Sequence, residues 1–198
     1  MELALLYSGG KDSSLAALLL DEFYDLTLVT ATFGITDDWQ HAARAADALG
    51  YPFETVDLDR SVAETAVDRM AADGYPRNGI QQAHDHALET VAGSEFDAIA
   101  DGTRRDDRVP NVSRASAQSI EDRHGVDYIA PLSGFGRHAV DRLVEATFEI
   151  ETGPSETVRK ADYEDELRAL LADRHEPSAV EAVFPDHEQT YVHGRRDQ

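Results

Sequence analysis

Five short apolar runs, each followed by a helix-like stretch, succeed one another through the first three quarters of the chain, and that alternation limits the fold more than any other feature. The runs are Glu2 to Tyr7, Leu26 to Phe33, Tyr51 to Leu58, Phe96 to Ala100 and Val126 to Ala130. The first is mostly apolar and the second is rich in β-branched residues, as expected of strands buried on both faces. Ser13 to Phe23 carries Leu15, Leu18 and Leu19 at helical spacing, and Asp37-Asp38 is an N-cap signal for an Ala-rich helix ending at Leu49. Further helices are expected at Ser61 to Ala72 and Asn78 to Val91, separated by the breaker Gly74-Tyr75-Pro76, and at Ser113 to His124 and Arg137 to Thr147. Crossovers of this kind give an α/β fold, a doubly wound five-stranded parallel sheet. From Phe148 the alternation stops. Gly153-Pro154 breaks the chain, Ala161 to Asp173 has the pattern of an amphipathic helix, and Thr190-Tyr191-Val192 is strand-like. Residues 1–149 therefore read as one domain and residues 150–198 as a small C-terminal helical and extended appendage.

With 198 residues, of which 41% are hydrophobic, the chain can bury a sizeable core. It has no cysteine, which excludes a disulfide framework, thiolate metal sites of its own and a cysteine nucleophile. No apolar run approaches the roughly 20 residues of a membrane span, and Leu3 to Tyr7 lacks the basic flank of a signal peptide. A soluble, cytoplasmic protein that makes no membrane contact is the expectation. The 39 acidic residues outnumber the 18 basic ones and are spread along the whole chain, giving a net charge of −21. Lys11 and Lys160 are the only lysines among those basic residues. This composition suits a halophilic protein kept soluble in molar salt. At about 1 M salt the Debye length is only about 3 Å, so the charge does not exclude an RNA partner.

Ser8-Gly9-Gly10-Lys11-Asp12-Ser13 follows the first strand and opens the first helix. Two glycines let backbone N–H groups face an anion, hydroxyls stand at both ends, and a helix N-terminus lies just beyond, so the segment is an anion cradle. It fits neither the Walker pattern nor the dinucleotide G-x-G-x-x-G pattern. These six residues resemble the signature of the PP-loop ATP pyrophosphatases, the adenine nucleotide alpha hydrolase superfamily, whose members include GMP synthetase, NAD synthetase and tRNA 2-thiolation enzymes. The resemblance covers about residues 2 to 145. It implies cleavage of ATP between its α and β phosphates and transfer of AMP to a substrate oxygen, which a nitrogen or sulfur nucleophile then displaces. By position, Ser8, Gly9, Gly10, Lys11, Asp12 and Ser13 would hold the pyrophosphate end of ATP. Asp12 would lie near Mg²⁺, and Ala31, Thr32 and Phe33 would contact adenine.

Asp101-Gly102-Thr103-Arg104-Arg105-Asp106-Asp107 follows the fourth run and resembles the G-[TH]-x-x-D-D stretch that such enzymes place against the adenylate and its metal. Gly102 and Thr103 are thus candidate nucleotide contacts. Asp106 and Asp107 join Asp12 as candidate Mg²⁺ ligands, since a hard cation prefers oxygen ligands. Pro131-Leu132, Arg137, Val140 and Leu143 are similar to the family's helix start after the fifth strand, with Arg137 where a lysine reaches the phosphates. Lys11, Asp12 and Arg137 are the candidate catalytic residues, and Lys160 is a candidate phosphate contact. Thiolating members commonly carry cysteines between the third and fourth strands, where this chain reads Tyr75 to His86, so sulfur chemistry would need a donor protein. His84 in that segment either packs beside Ile80 and Leu88 or binds substrate. The expected function is ATP-dependent adenylation in tRNA base modification, with ATP and Mg²⁺ as cofactors. Expected partners are tRNA and a sulfur or ammonia donor protein, with a homo-oligomer as the assembly. The alternatives are an amide ligase acting on a small carboxylate and a non-catalytic adenine-nucleotide binding module.

Overall fold

In the computed structural model, which describes residues 1–155, 157, 158 and 160–196, the expected sheet forms. Its strands are β1 (Glu2–Leu6), β2 (Asp25–Thr32), β3 (Phe53–Asp57), β4 (Ala98–Ala100) and β5 (Asp127–Ile129), all parallel, in the order β3-β2-β1-β4-β5. The central strand has four consecutive buried residues, Leu3 to Leu6, because helices cover both faces of the sheet. The helices α1 (Lys11–Leu20), α2 (Trp39–Leu49) and α6 (Arg137–Thr147) pack on one face, against a cluster containing Leu3, Leu5, Leu15 and Leu28. On the other face, α3 (Arg60–Asp73), α4 (Arg77–Ala92) and α5 (Arg114–His124) pack around Leu6, Val29, Met70, Leu88 and Ile99. No described helix is long and apolar enough to cross a membrane.

The last fifty residues depart from expectation in detail. Residues Phe148–Pro154 form a strand, β6, which starts directly after α6, and it pairs antiparallel with β7 (Glu188–Arg195). The pairing is non-local, and β6 ends in Gly153-Pro154, so no local periodicity announces it. Between them α7 (Tyr163–Arg174) and a second short helix, α8 (Pro177–Val183), pack their apolar residues into the same core as α3 and α4, through Leu167, Leu170, Leu171 and Phe184. The helix ends follow simple chemistry. Asp162 caps α7 by accepting from the Glu164 N–H at 3.2 Å, and Gly50, Gly74 and Gly125 end three helices in the left-handed region.

At Gly79, α4 lies tightly against α3. A β-carbon there would overlap the Met70 side chain and would stand 2.8 Å from the Ala66 carbonyl oxygen, which as backbone cannot move aside. Gly79→Ala is therefore expected to destabilise the protein by about 1–3 kcal/mol despite the better helix propensity of alanine, as measured by denaturant unfolding. An unchanged or raised midpoint would contradict this packing.

Candidate nucleotide site

The chain leaves β1 through Tyr7 and turns at Gly9, whose φ of 79° lies in the region that favours glycine. Gly10 is extended (φ −81°, ψ 167°), and α1 begins at Lys11. Within the turn, Ser13 Oγ donates to the Gly10 carbonyl at 3.2 Å. The strand order turns back at β1, between β2 and β4, and this is where open α/β sheets hold ligands. A cavity of about 400 Å³ opens there. Its walls include Ser8, Asp12, Ser13, Ala31, His84, Asp101 to Arg104, Asp107 and, from the C-terminal segment, Lys160 to Glu164. The size falls within the usual range of small-molecule sites. A larger depression of about 900 Å³ lies near the opposite ends of the strands, lined by Glu2, Asp25, Glu54 and Glu95 among others. It has neither a helix N-terminus nor a glycine turn, so we place the site in the smaller cavity.

The site residues expected from sequence divide into three groups. Ser8, Asp12, Ser13, Gly102, Thr103 and Asp107 line the cavity. Gly102 has a packing reason to be glycine, because a β-carbon there would come within 2.9 Å of the Ser13 nitrogen. Gly9 and Gly10 shape the turn behind the lining. Lys11, Arg137, Asp106, Thr32 and Phe33 lie outside it. Lys11 Nζ donates to Asp141 Oδ1 on α6 at 2.7 Å, and Arg137, 71% exposed, lies 3.9 Å from the other oxygen of Asp141. Thr32 and Phe33 are engaged by the buried Glu166 of α7. Its Oε1 accepts from Thr32 Oγ1 and the Ile35 N–H, and its Oε2 from the Phe33 N–H, at 2.9–3.0 Å.

The three candidate Mg²⁺ ligands surround Arg104. Its guanidinium bonds Asp107 Oδ1 at 2.8 and 3.1 Å and lies 3.8 Å from Asp12 and 3.9 Å from Asp106. Asp107 Oδ2 also accepts from the Arg104 N–H. Asp12 differs from its neighbours. Its Oδ1 is buried with no hydrogen-bond donor, and burial raises its carboxyl above the usual range against the pull of Arg104 and Lys11. An orphaned buried carboxylate oxygen beside an anion cradle fits a divalent cation, so Asp12 is the residue suited to hold one, whereas Asp107 is bonded to Arg104 and Asp106 lies outside the cavity lining.

A second buried carboxylate in the wall is Asp101, which is 2% exposed. Its Oδ1 accepts from the Thr103 N–H and hydroxyl, and its Oδ2 from Tyr128 Oη at 2.9 Å and from His84 Nε2 at 3.0 Å. Burial works to raise this carboxyl, and the bonds from His84 and Thr103 outweigh it, holding Asp101 below the usual range. An ionised Asp101 fixes the His84 proton on Nε2, which leaves Nδ1 as the basic nitrogen. Tyr128 and Glu166 were not singled out from sequence, since nothing local marks them, and Asp101 was read only as the first residue of the DGTRRDD stretch. His84 was singled out, and it proves to be both buried and cavity-lining.

The C-terminal segment reaches the turn itself. The Ala161 N–H donates to the Ser8 carbonyl at 2.9 Å, the Val192 N–H to the Gly9 carbonyl at 3.0 Å, and the Lys11 N–H to Thr190 Oγ1 at 3.2 Å.

The glycine turn SGGKDS thus leaves the central strand of a five-stranded parallel sheet, with the DGTRRDD loop across the crevice, so the two segments that resemble PP-loop motifs face one cavity. The chain belongs to the family described as a family of unknown function, DUF7411, whose model matches residues 1–194. It is similar to uncharacterized protein MJ0690 of Methanocaldococcus jannaschii, 40% identical over 199 residues, covering 100% of this chain and 98% of that one. It is also similar to a crystal structure from the same species described as a predicted subunit of tRNA methyltransferase, with 39% identity, a TM-score of 0.90 and full coverage of both chains. A third similarity is to the U34-tRNA thiolase NcsA of Methanococcus maripaludis with its [4Fe-4S] cluster, at 20% identity and a TM-score of 0.43 over 73% of this chain and 56% of that one.

Asp165, near the site, supplies a pH prediction. Burial, then Asp162, pushes its carboxyl up to about 7 against the pull of Lys160, and its Oδ2 is buried without a partner. Unfolded, the group titrates near 3.9. A folded value above the unfolded one favours folding below about pH 4, and that advantage is lost as pH rises through about 7. Asp165→Asn is expected to raise the melting temperature more at pH 8 than at pH 5. An equal gain at both, read by thermal unfolding, would contradict the assignment.

Proposed function

We propose that this protein binds ATP at the SGGKDS turn, cleaves it between the α and β phosphates, and adenylates a substrate oxygen in the modification of tRNA. The observation that carries the reading is the convergence, in one cavity, of the glycine turn, the start of α1 and the orphaned Asp12 oxygen. In the proposed reaction an oxygen of the acceptor attacks the α-phosphorus, the α–β bridging bond breaks, and pyrophosphate leaves with the electron pair. The turn and the first amides of α1 hold the leaving phosphates. Asp12 would hold Mg²⁺, which when bound offsets charge developing on the phosphate oxygens. Arg104, fixed by Asp107, adds positive charge at the same wall. His84, with its tautomer set by Asp101, accepts the acceptor's proton.

The tRNA setting is supported by the description of the full-length structural relative as a predicted subunit of tRNA methyltransferase, and the word subunit supports a partner protein. An RNA-facing edge is also consistent with the side chains near the site. Arg105 reaches to within 3.4 Å of where a Gly136 side chain would begin, beside the exposed Arg137, so two loops share a basic rim in a chain of net charge −21.

The test is to incubate the protein with ATP and Mg²⁺ in molar KCl, with and without tRNA, and to measure AMP and pyrophosphate together. Equal amounts of the two, accelerated by tRNA and reduced about a hundredfold by Asp12→Asn, are expected. ATP that binds and stays intact under every condition would replace this reading with a nucleotide-binding module.

A further inference from the structure

We propose that Lys160, supplied by the C-terminal segment, is a phosphate-binding residue of the nucleotide site and takes the place facing the polyphosphate that Lys11 and Arg137 do not occupy. This inference rests on the nucleotide reading given above and assigns to it a residue outside the part of the chain that resembles PP-loop enzymes.

Three observations converge on Lys160. The first is position. Lys160 lines the cavity together with Ser8, Asp12 and Ser13, and its stem lies over the glycine turn, with Cδ 3.8 Å from where a β-carbon on Gly10 would stand. The Ala161 N–H bond to the Ser8 carbonyl, one residue on, fixes that placement. The second is the supply of cations. Carboxylates crowd the cavity, with Asp12, Asp101, Asp107, Asp162 and Glu164 in its wall, and an anionic ligand needs compensating charge there. Arg104 is already bonded to Asp107, Lys11 to Asp141, and Arg137 is turned to solvent. Lys160 is the cavity-lining lysine, since Lys11 is the other lysine of the chain and lies outside the lining.

The third observation is how the ammonium is held. Lys160 Nζ lies 2.7 Å from Asp162 Oδ2, and Asp162 is itself fixed by capping α7. One carboxylate oxygen takes one of three ammonium donors and leaves the others for a ligand. Burial alone would lower the Lys160 ammonium, but Asp162, with Glu164 and Asp165 nearby, keeps it above its ordinary value, so the side chain stays charged. Asp162 thus holds the ammonium over the turn.

The test measures binding of ATP and of pyrophosphate to the full chain by calorimetry in molar KCl, alongside thermal unfolding, for wild type, Lys160→Ala and Asp162→Asn. Lys160→Ala is expected to weaken both ligands about tenfold to a hundredfold. Asp162→Asn keeps a good N-cap but releases the ammonium from its place over the turn, so it is expected to weaken both ligands, by less than Lys160→Ala does. A merely structural ion pair predicts a different pattern, in which both variants lose thermal stability and bind as wild type does. That result, with wild type binding, would overturn the assignment of Lys160 and leave the nucleotide reading standing. Wild type binding neither ligand would overturn both.

Discussion

The backbone of residues 8–11 bears two loads, and the arrangement of the site depends on both. It must turn sharply from β1 into α1, which the left-handed Gly9 allows. It must also accept the C-terminal segment, which bonds to the Ser8 carbonyl, the Gly9 carbonyl and the Lys11 amide from three separate residues, Ala161, Val192 and Thr190. Here β7 and the segment before α7 lie against the turn, so the cavity is built from both ends of the chain. Glu166 secures the same segment at β2 through three hydrogen bonds to a buried carboxylate, bonds of the charge-assisted kind that are costly to leave unmade.

The sheet, its flanking helices and the cradle were legible because they are written in local patterns. Apolar runs at strand length, helical leucine spacing at Leu15, Leu18 and Leu19, and a glycine turn between them are each decided within a few residues. The strand β6 and the helix α8 were not legible, since one depends on a partner more than thirty residues away and the other is a single short amphipathic segment after Pro177. The roles within the site divide in the same way. Gly9 makes the turn, and Asp12 and Ser13 line the cavity. Lys11 is drawn off by Asp141, 130 residues away, and the backbone at Phe33 is taken by Glu166, 133 residues away. A motif fixes the path of the backbone; which charge partners a lysine finds is settled by distant parts of the chain.

The acidic composition bears on the site as well as on the surface. A cavity walled by several carboxylates repels a polyphosphate unless cations offset them, and the chain meets this with very few basic groups. Arg104 neutralises Asp107 and stands near Asp12 and Asp106, and Lys160 is held by Asp162. Asp12 keeps a buried oxygen without a donor. These features fit the ligand proposed above, an adenine nucleotide with its metal, which brings both negative phosphates and a cation.

The most direct measurement is a crystal structure of the full chain with Mg²⁺ and an ATP analogue carrying a methylene group between its α and β phosphates, so that it binds without being cleaved. The account predicts its phosphates between the Ser8–Ser13 turn and Lys160, with the cation on Asp12. Phosphates bound instead at Lys11 and Arg137, or a nucleotide lodged in the acidic depression near Asp25 and Glu95, would contradict it.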